Sequence, residues 1–321
     1  MRVAVVGGGV AGALLAWRVR QLAPRIAVDV YTGTPTESDA TGASGGLVRG
    51  FERALDACRL AADSLAELRG DPVLRESAGY REIGSIYLLP PDRDPSASVA
   101  VVDERLPGSA TVGAEDGAIA VTERHAGYLS PARLRACVLS WLADGGVGIR
   151  PMPVVAVDPG PALRLADGTG IGYDAVVVAA GAWTPALLAA SGLAAGGLRT
   201  KQIQYSVFRT RPARPSVFVD ERTGLYGRPA RDGEVLLGLP GDRWDVDPAE
   251  VRPDPALAER VAAVAGVRPH RTVASADCYH DPPGLELRDA GAAVFTFTGG
   301  SGGAAKTVLA ASRVAAAALL G

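Results

Sequence analysis

The sequence is poor in cysteine, has no excess of charge of either sign and lacks a long apolar run. Cys58, Cys137 and Cys278 are too scattered for a disulfide framework, and no C-x-x-C spacing suggests zinc. The 33 basic and 35 acidic residues leave a formal net charge of −2, which argues against nucleic acid or an anionic membrane as a partner. No run of 18 apolar residues is uninterrupted, and the first residues indicate a strand instead of a signal peptide. We therefore expect a cytoplasmic chain that binds neither nucleic acid nor membrane.

Lysine is scarcer still, because only Lys201 and Lys306 occur among the 33 basic residues. A lysine can shift its pKa or lose its proton, whereas a guanidinium stays charged and planar, so the two are not equivalent at a reacting centre. The alternative is that lysine is present at these two positions by chance. We treat both positions as candidates for chemistry.

The length of 321 residues predicts about two domains, and 48% apolar residues suffice for an ordinary core. A strand at Arg2 to Val6, a glycine turn, a helix at Ala13 to Leu22 and a strand at Ile26 to Tyr31 predict a βαβ opening. Further helices are expected at 53–68, 131–142, 255–265 and 304–320, the second of these capped by Ser130. Period-two alternation over 198–239 predicts an antiparallel sheet with turns at 223–224 and 232–233, whereas 90–117 shows little periodicity.

The glycine turn matches G-x-G-x-x-G at Gly7, Gly9 and Gly12, directly after a strand and at the start of a helix. In that setting, backbone N–H groups and the helix dipole hold a pyrophosphate. The carboxylate expected at the end of the second strand is replaced by Thr32. Thr32 could donate a hydroxyl hydrogen bond, or Asp29 could face the core edge, and the sequence leaves both open.

Two G-x-S-x-G strings, centred on Ser44 and Ser301, raise the alternative of a hydrolase. That fold requires its histidine after the serine, yet the last histidine is His280, upstream of Ser301. Ser44 lacks the preceding strand. We interpret both strings as loops where the backbone approaches a ligand closely. Cys278 and His280 are the only close pair of soft ligands, so no metal site is expected.

Five strings occur in an order typical of one family. They are the turn Gly7 to Gly12, the loop 43–49, the string 127–131, the segment 174–185 and the stretch 297–306. Together they resemble the FAD-dependent amino acid oxidases of the glycine oxidase, sarcosine oxidase and D-amino acid oxidase superfamily, and most of all the branch of glycine oxidase and monomeric sarcosine oxidase. The resemblance covers nearly the whole chain.

The resemblance implies FAD as cofactor and assigns residues to it. The implied cofactor-binding set is Gly7, Gly9, Val10, Ala11, Gly12, Thr32, Ser44, Gly45, Gly46, Val154, Ala180, Gly181, Trp183, Gly300, Ser301, Gly302, Gly303, Ala304 and Lys306. By the same similarity, Arg49 and Lys306 would bind the substrate carboxylate, and Tyr226 matches an active-site tyrosine. The alternatives are a surface arginine at position 49 and a packed sheet tyrosine at position 226.

Two positions depart from the sarcosine oxidase branch. Leu236 stands where that branch carries a lysine that promotes reaction with oxygen. Cys278 lies near the position of a cysteine joined covalently to the flavin, but its spacing to Lys306 is shorter. We therefore expect non-covalent FAD.

The resulting expectation is an α/β fold with a Rossmann-like FAD-binding domain of the DAO type and a second, α+β substrate domain built on an antiparallel sheet. The FAD-binding domain would be discontinuous, comprising 1–78, 125–197 and 278–321, and the substrate domain would comprise 79–124 and 198–277. The predicted reaction oxidises the C–N bond of a small amino acid or N-substituted glycine, with electrons passing to O2 and H2O2 formed. An amine dehydrogenase with another acceptor and a non-catalytic flavin-binding assembly protein are the alternatives. The oligomeric state stays open.

Overall fold

The computed structural model describes residues 1–33 and 39–321. The helices of these residues are α1 (Val10–Leu22), α2 (Leu55–Gly70), α3 (Pro72–Ala78), α4 (Ser96–Arg105), α5 (Pro131–Asp144), α6 (Thr184–Ala190), α7 (Pro255–Ala265) and α8 (Ala304–Leu320). The strands are β1 (Arg2–Val6), β2 (Ala27–Tyr31), β3 (Leu47–Val48), β4 (Arg81–Glu82), β5 (Ser85–Leu89), β6 (Ala110–Glu115), β7 (Ala118–Glu123), β8 (Gly127–Tyr128), β9 (Gly148–Arg150), β10 (Val154–Asp158), β11 (Ala162–Leu165), β12 (Gly170–Gly172), β13 (Ala175–Val178), β14 (Arg199–Arg209), β15 (Val217–Asp220), β16 (Tyr226–Pro229), β17 (Glu234–Gly238), β18 (Arg271–Tyr279), β19 (Glu286–Gly291) and β20 (Val294–Thr298).

A six-stranded sheet in the order β19-β20-β13-β1-β2-β9 forms the centre of the nucleotide side. Its strands are parallel except at the edge, where β19 pairs antiparallel with β20. Helices α1, α5 and α8 cover one face, and α6 with the small sheet β10-β11-β12 covers the other. Burial on both faces explains why β13 and β1 after Arg2 are entirely apolar. The βαβ opening predicted from the sequence is therefore present.

A second sheet has eight strands in the order β18-β14-β17-β16-β15-β5-β7-β6. All its neighbours are antiparallel except β15 and β5, which run parallel. The predicted alternation is clear in β14, and the predicted turns occur between β15 and β16 and between β16 and β17. The fold class expected from the sequence is thus confirmed.

The segment 90–117, in which the sequence shows little periodicity, contains α4 and β6. Only Ser98 and Val102 of α4 are buried, so the apolar pattern is too sparse to indicate a helix. Among the described residues, no helix combines the length and apolar character that a membrane crossing requires.

The strands of the eight-stranded sheet come from the two segments assigned to the substrate domain, apart from the end of β18, which continues to Tyr279. The short sheet β3-β8-β4 links the two parts, because β4 belongs to one and β3 and β8 to the other. We keep the two-domain division as a proposal, with the end of β18 as its boundary.

Candidate active site

A cavity of about 1630 Å³ opens where the carboxyl ends of β1, β2 and β13 meet β14, β16 and β18 of the eight-stranded sheet. This is the edge at which ligands bind in open α/β sheets. Its volume exceeds the roughly 300–1,000 Å³ typical of pockets for one small ligand. The cavity can therefore hold a long cofactor together with a small substrate.

Most residues predicted to bind the cofactor or substrate line this one cavity. They are Gly7, Gly9, Val10, Ala11, Thr32, Ser44, Gly45, Gly46, Arg49, Val154, Ala180, Gly181, Trp183, Tyr226, Gly300, Gly302, Ala304 and Lys306. Gly12, Ser301 and Gly303 do not lie on its wall.

Gly7 and Gly12 bring α1 close to the end of β1. Gly7 has a φ of +121°, and a Cβ there would lie 2.3 Å from the carbonyl oxygen of Ala179. A Cβ on Gly12 would lie 2.0 Å from the carbonyl oxygen of Gly7. Gly12 thus permits helix–strand packing beneath the cavity, which places the N-terminal turn of α1 at the wall.

The N-termini of α1 and α8 reach the cavity, and neither helix has an acidic residue in its first turn. Neither Gly9 before α1 nor Gly303 before α8 caps its helix with a side chain, although the hydroxyl of Thr41 accepts the N–H of Val10 at 3.1 Å. Positive helix ends favour anionic groups. The arrangement fits a pyrophosphate at α1 and an electron-rich ring edge at α8.

Asp29 does not face the cavity. Its carboxylate accepts the hydroxyl of Tyr173 at 3.0 Å and pairs with Arg150 at 3.3 Å, which ties β2 to its neighbours. Thr32 lies on the wall, as does the ion pair of Asp39 and Arg135. Sequence reasoning missed Asp39, which supplies a carboxylate to the cavity wall eight residues after the end of β2.

Ser301 is placed by hydrogen bonds to the backbone. Its hydroxyl oxygen accepts a hydrogen bond from the N–H of His280 at 3.2 Å, and the hydroxyl donates to the carbonyl oxygen of Gly299 at 3.1 Å. This serine stabilises the glycine loop before α8 and turns away from the cavity. The loop is also held by Asp277, which sequence reasoning missed and whose carboxylate accepts the N–H groups of Cys278 at 2.8 Å and Gly302 at 2.9 Å. Burial raises the pKa of Asp277.

Arg49 and Lys306 share one carboxylate. Glu52 Oε1 lies 2.7 Å from Arg49 Nη2 and 2.8 Å from Lys306 Nζ. Arg49 is only 7% exposed, and its guanidinium lies 5.0 Å from the centre of the Tyr87 ring. The alternative of a surface arginine is therefore excluded.

The protonation of this cluster follows from its burial. Burial opposes ionisation of Glu52, but the attraction of Arg49 and Lys306 outweighs it, so the pKa of Glu52 is lowered. Burial also lowers the pKa of Lys306, and the positive charge of Arg49 lowers it further. The attraction of Glu52 raises this pKa but does not offset the other two effects. Two cations and one carboxylate leave one positive charge, which suits a single bound carboxylate.

Glu123 fixes the backbone between Arg49 and Glu52. Its carboxylate accepts the N–H of Gly50 at 2.8 Å and of Phe51 at 3.1 Å. Burial raises the pKa of Glu123 in spite of these hydrogen bonds. The contact spans more than 70 positions along the chain, so no local pattern indicates it.

Tyr226 lines the cavity from β16, and its hydroxyl donates to the carbonyl oxygen of Gln204 at 3.1 Å. The ring packs over Gly238 of β17, where a Cβ would lie 2.2 Å from Tyr226 Cζ. Burial raises the pKa of this phenol, so it stays protonated. Tyr226 is therefore both a packed sheet residue and a residue of the cavity wall.

Cys278 is fully buried in the core beneath the six-stranded sheet and does not line the cavity. Burial raises the pKa of its thiol to about 11. Leu236 is also buried, close to Gly45 of the cavity wall. Beside it, Arg228 donates from Nε to the carbonyl oxygen of Gly45 at 2.7 Å.

Within the described parts of the chain, no group of three or more His, Cys, Asp and Glu side chains could hold a metal ion. Lys201, the other lysine, also lines the cavity, where its ammonium lies 4.5 Å from the centre of the Trp244 ring. The wall thus brings both lysines of the sequence to the same cavity.

Comparison with known proteins agrees with this geometry. The model of the FAD-dependent oxidoreductase family, DAO, matches residues 2–318. No curated protein sequence matches the chain. The fold is similar to that of glycine oxidase from Geobacillus kaustophilus, with 20% identity, a TM-score of 0.76 and coverage of 99% of this chain and 94% of that one.

Two further solved structures share the fold. Iminodiacetate oxidase from Chelativorans sp. BNC1 has 18% identity and a TM-score of 0.75, over 99% of this chain and 95% of that one. L-proline dehydrogenase from P. horikoshii has 15% identity and a TM-score of 0.79, over 98% of this chain and 92% of that one. Since the family model spans nearly the whole chain and the glycine loops and helix ends fit the cofactor, the chain belongs to the FAD-dependent oxidoreductase family, with FAD as its cofactor.

Proposed function

We propose that the protein oxidises the C–N bond of a small amino acid or N-substituted glycine to an imine, which water then hydrolyses. FAD, when bound, takes the two electrons that leave the substrate. The single observation that carries the proposal is the placement of Arg49 and Lys306 on the wall of the cavity that the cofactor-binding glycines also line.

The cationic pair gives the substrate class. Arg49 carries a planar guanidinium of the kind that binds carboxylates; its Nε donates to the Phe51 carbonyl oxygen at 3.1 Å and its Nη2 pairs with Glu52, while Lys306 adds a point charge in the first turn of α8. Because Glu52 neutralises one of the two charges, one substrate carboxylate completes the balance. When FAD is bound, the N-terminus of α8 and Lys306 in its first turn would supply positive potential to the ring edge that gains negative charge on reduction.

Tyr226 and the buried walls supply orientation. The Tyr226 ring is fixed between Gly238 and the Gln204 carbonyl, so it forms a rigid side of the substrate space. Leu236 and Leu47 place apolar side chains beside Gly45 on the same wall. The protein thus binds and aligns the amine without an acid–base triad of its own.

The electron acceptor is proposed to be O2, with H2O2 as product. One observation favours a second candidate, a dehydrogenase that passes electrons to another acceptor. Leu236 is buried beside Gly45 where the resembled branch carries an oxygen-promoting lysine, and a dehydrogenase is among the solved structures of this fold. The cation nearest in the sheet to Leu236 is Arg228, its partner on the neighbouring strand β16. Burial lowers the pKa of this arginine.

The test is anaerobic mixing of the FAD-loaded protein with glycine, sarcosine, longer N-carboxymethyl amines and D-amino acids. We expect at least one of these to bleach the flavin absorbance. Re-admission of O2 should then restore the colour with one H2O2 per flavin, whereas recovery only with an added dye would favour the dehydrogenase. If no amine bleaches the flavin, the proposed reaction is wrong.

A further inference from the structure

The two lysines occupy different parts of the same cavity wall. Lys306 lies in the first turn of α8, where Glu52 neutralises it. Lys201 lies on β14, in the eight-stranded sheet, directly across from Asp277 of β18. The cavity therefore has a second lysine that the proposed reaction does not use.

Aromatic rings surround Lys201. Its Nζ lies 4.5 Å from the centre of the Trp244 ring and 5.4 Å from that of Tyr279, and the two rings meet edge to face. Trp244 is 40% exposed, so this corner is near the opening of the cavity. Among the described residues, no carboxylate forms an ion pair with Lys201, and the nearby Asp245 is occupied by Arg199.

The other charges of the wall are already balanced. Asp39 pairs with Arg135, and the carboxylate of Asp277 is taken up by two backbone N–H groups. Arg252 also lines the cavity, and its backbone is held beside β14 because Gln202 Nε2 donates to its carbonyl oxygen at 3.0 Å. Over the described residues, Lys201 and Arg252 are the cations of the wall without a carboxylate partner.

We propose that Lys201 binds a second anionic group of the substrate. The inference rests on the proposed function and narrows it: the preferred substrates are N-substituted glycines whose nitrogen substituent ends in a carboxylate. One carboxylate binds at Arg49 and Lys306, the other at Lys201, and the C–N bond lies between them. A cation over aromatic rings remains able to accept an anion on its open side.

The first experiment compares N-alkylglycines with N-(carboxyalkyl)glycines of equal chain length in anaerobic reduction of the FAD-loaded protein. We expect the terminal carboxylate to lower the half-saturating concentration about tenfold or more, the effect of one hydrogen bond to a charged group. Lys201→Met should abolish most of this preference, and Lys201→Arg should keep part of it. Arg209→Met removes an exposed cation from the far end of the same strand and should leave the preference unchanged.

A second measurement does not depend on turnover. Glutarate and butyrate, which differ by one carboxylate, are titrated into the FAD-loaded protein while the visible flavin spectrum is followed. Tighter binding of glutarate that Lys201→Met removes supports the subsite even if no amine bleaches the flavin, in which case only the proposed reaction fails. Equal affinities for glutarate and butyrate, or the same weakening of both by Lys201→Met, overturn the subsite. Loss of FAD from Lys201→Met at equal protein concentration overturns it too, because Lys201 would then hold the cofactor.

Discussion

Glu52 Oε1 lies 2.8 Å from Lys306 Nζ, and the same oxygen lies 2.7 Å from Arg49 Nη2. One carboxylate therefore sets the charge available to a ligand at two cations. It also makes any carboxylate that binds there a competitor for the partners of Glu52.

Glu52→Gln tests this control of charge. Without the carboxylate, two buried cations lack a counter-ion, so acetate should bind to the FAD-loaded variant about tenfold more tightly or better. The same change should destabilise the fold by ~3–5 kcal/mol, the cost of breaking a buried ion pair. Acetate affinity is read from the flavin spectrum and stability from urea unfolding. Glu52→Asp keeps the charge and is the control. Equal acetate affinity of the Glu52→Gln variant and the parent would refute the idea that Glu52 competes with a bound carboxylate for the two cations.

Arg49→Lys and Lys306→Met test the carboxylate site itself. Each should weaken substrate binding by ~1.5–3 kcal/mol, or roughly 10- to 150-fold in Kd, since a point charge cannot replace the fork and a thioether carries no charge. Lys306→Met should also slow flavin reduction at saturating substrate and lower the flavin potential. Stopped-flow reduction without oxygen measures both. Arg59→Lys alters an exposed arginine and is the matched control; unchanged affinity and rate in both site variants would exclude the assignment.

Gly238→Ala tests the support of Tyr226. The new Cβ would lie 2.2 Å from Tyr226 Cζ, so the ring must leave its place on the wall. We expect overpacking to cost ~1–3 kcal/mol of unfolding free energy and weaker substrate binding. Gly113→Ala, in a strand position with open space around the new methyl group, should change neither. Parent-like substrate binding in Gly238→Ala would show that the position of the ring does not matter.

Glu123→Gln should change how stability depends on pH. Burial raises the pKa of Glu123, so the folded protein holds this proton at pH values where the unfolded chain has lost it. The parent therefore loses stability as pH rises above the ordinary carboxyl range, and the variant lacks this loss. The unfolding free energy of Glu123→Gln relative to the parent should be more favourable at pH 8 than at pH 5, as measured by urea unfolding of the FAD-loaded proteins. The opposite slope would contradict the raised pKa.

Acid precipitation tests the linkage of the flavin. Because Cys278 is buried in the core and does not reach the cavity, the yellow colour should remain in the supernatant. Cys278→Ala should behave in the same way. A coloured pellet that this substitution turns colourless would show a covalent bond at this cysteine.

The features predicted correctly are those with local causes. The turn at Gly7, the cap of α5 by Ser130 and the bounds of α8 follow from glycine positions, capping residues and apolar spacing within a few residues. Helix α3 was missed although Asp71 and Pro72 begin it and Gly79 follows it, because seven residues carry too little periodicity.

The residues missed in the site depend on distant partners. Glu52 resembles an ordinary polar residue before a helix until Lys306 is brought to it from the last helix. Glu123 and Asp277 are buried because they accept backbone N–H groups of segments remote in the sequence. A sequence shows which residues can ionise, but the hydrogen-bond partners that make burial of an ionisable group tolerable become visible only in the fold.

The location of both lysines on one cavity wall makes the protein unusual as a target for amine-reactive reagents. Most proteins carry lysines over their whole surface, so that such reagents label many harmless places. Here Lys201 and Lys306 are the only lysine side chains, and both line the cavity. Coupling through lysine to a dye, a cross-linker or a solid support will therefore modify the cavity wall, and attachment through other side chains or a terminus is required to preserve the cavity.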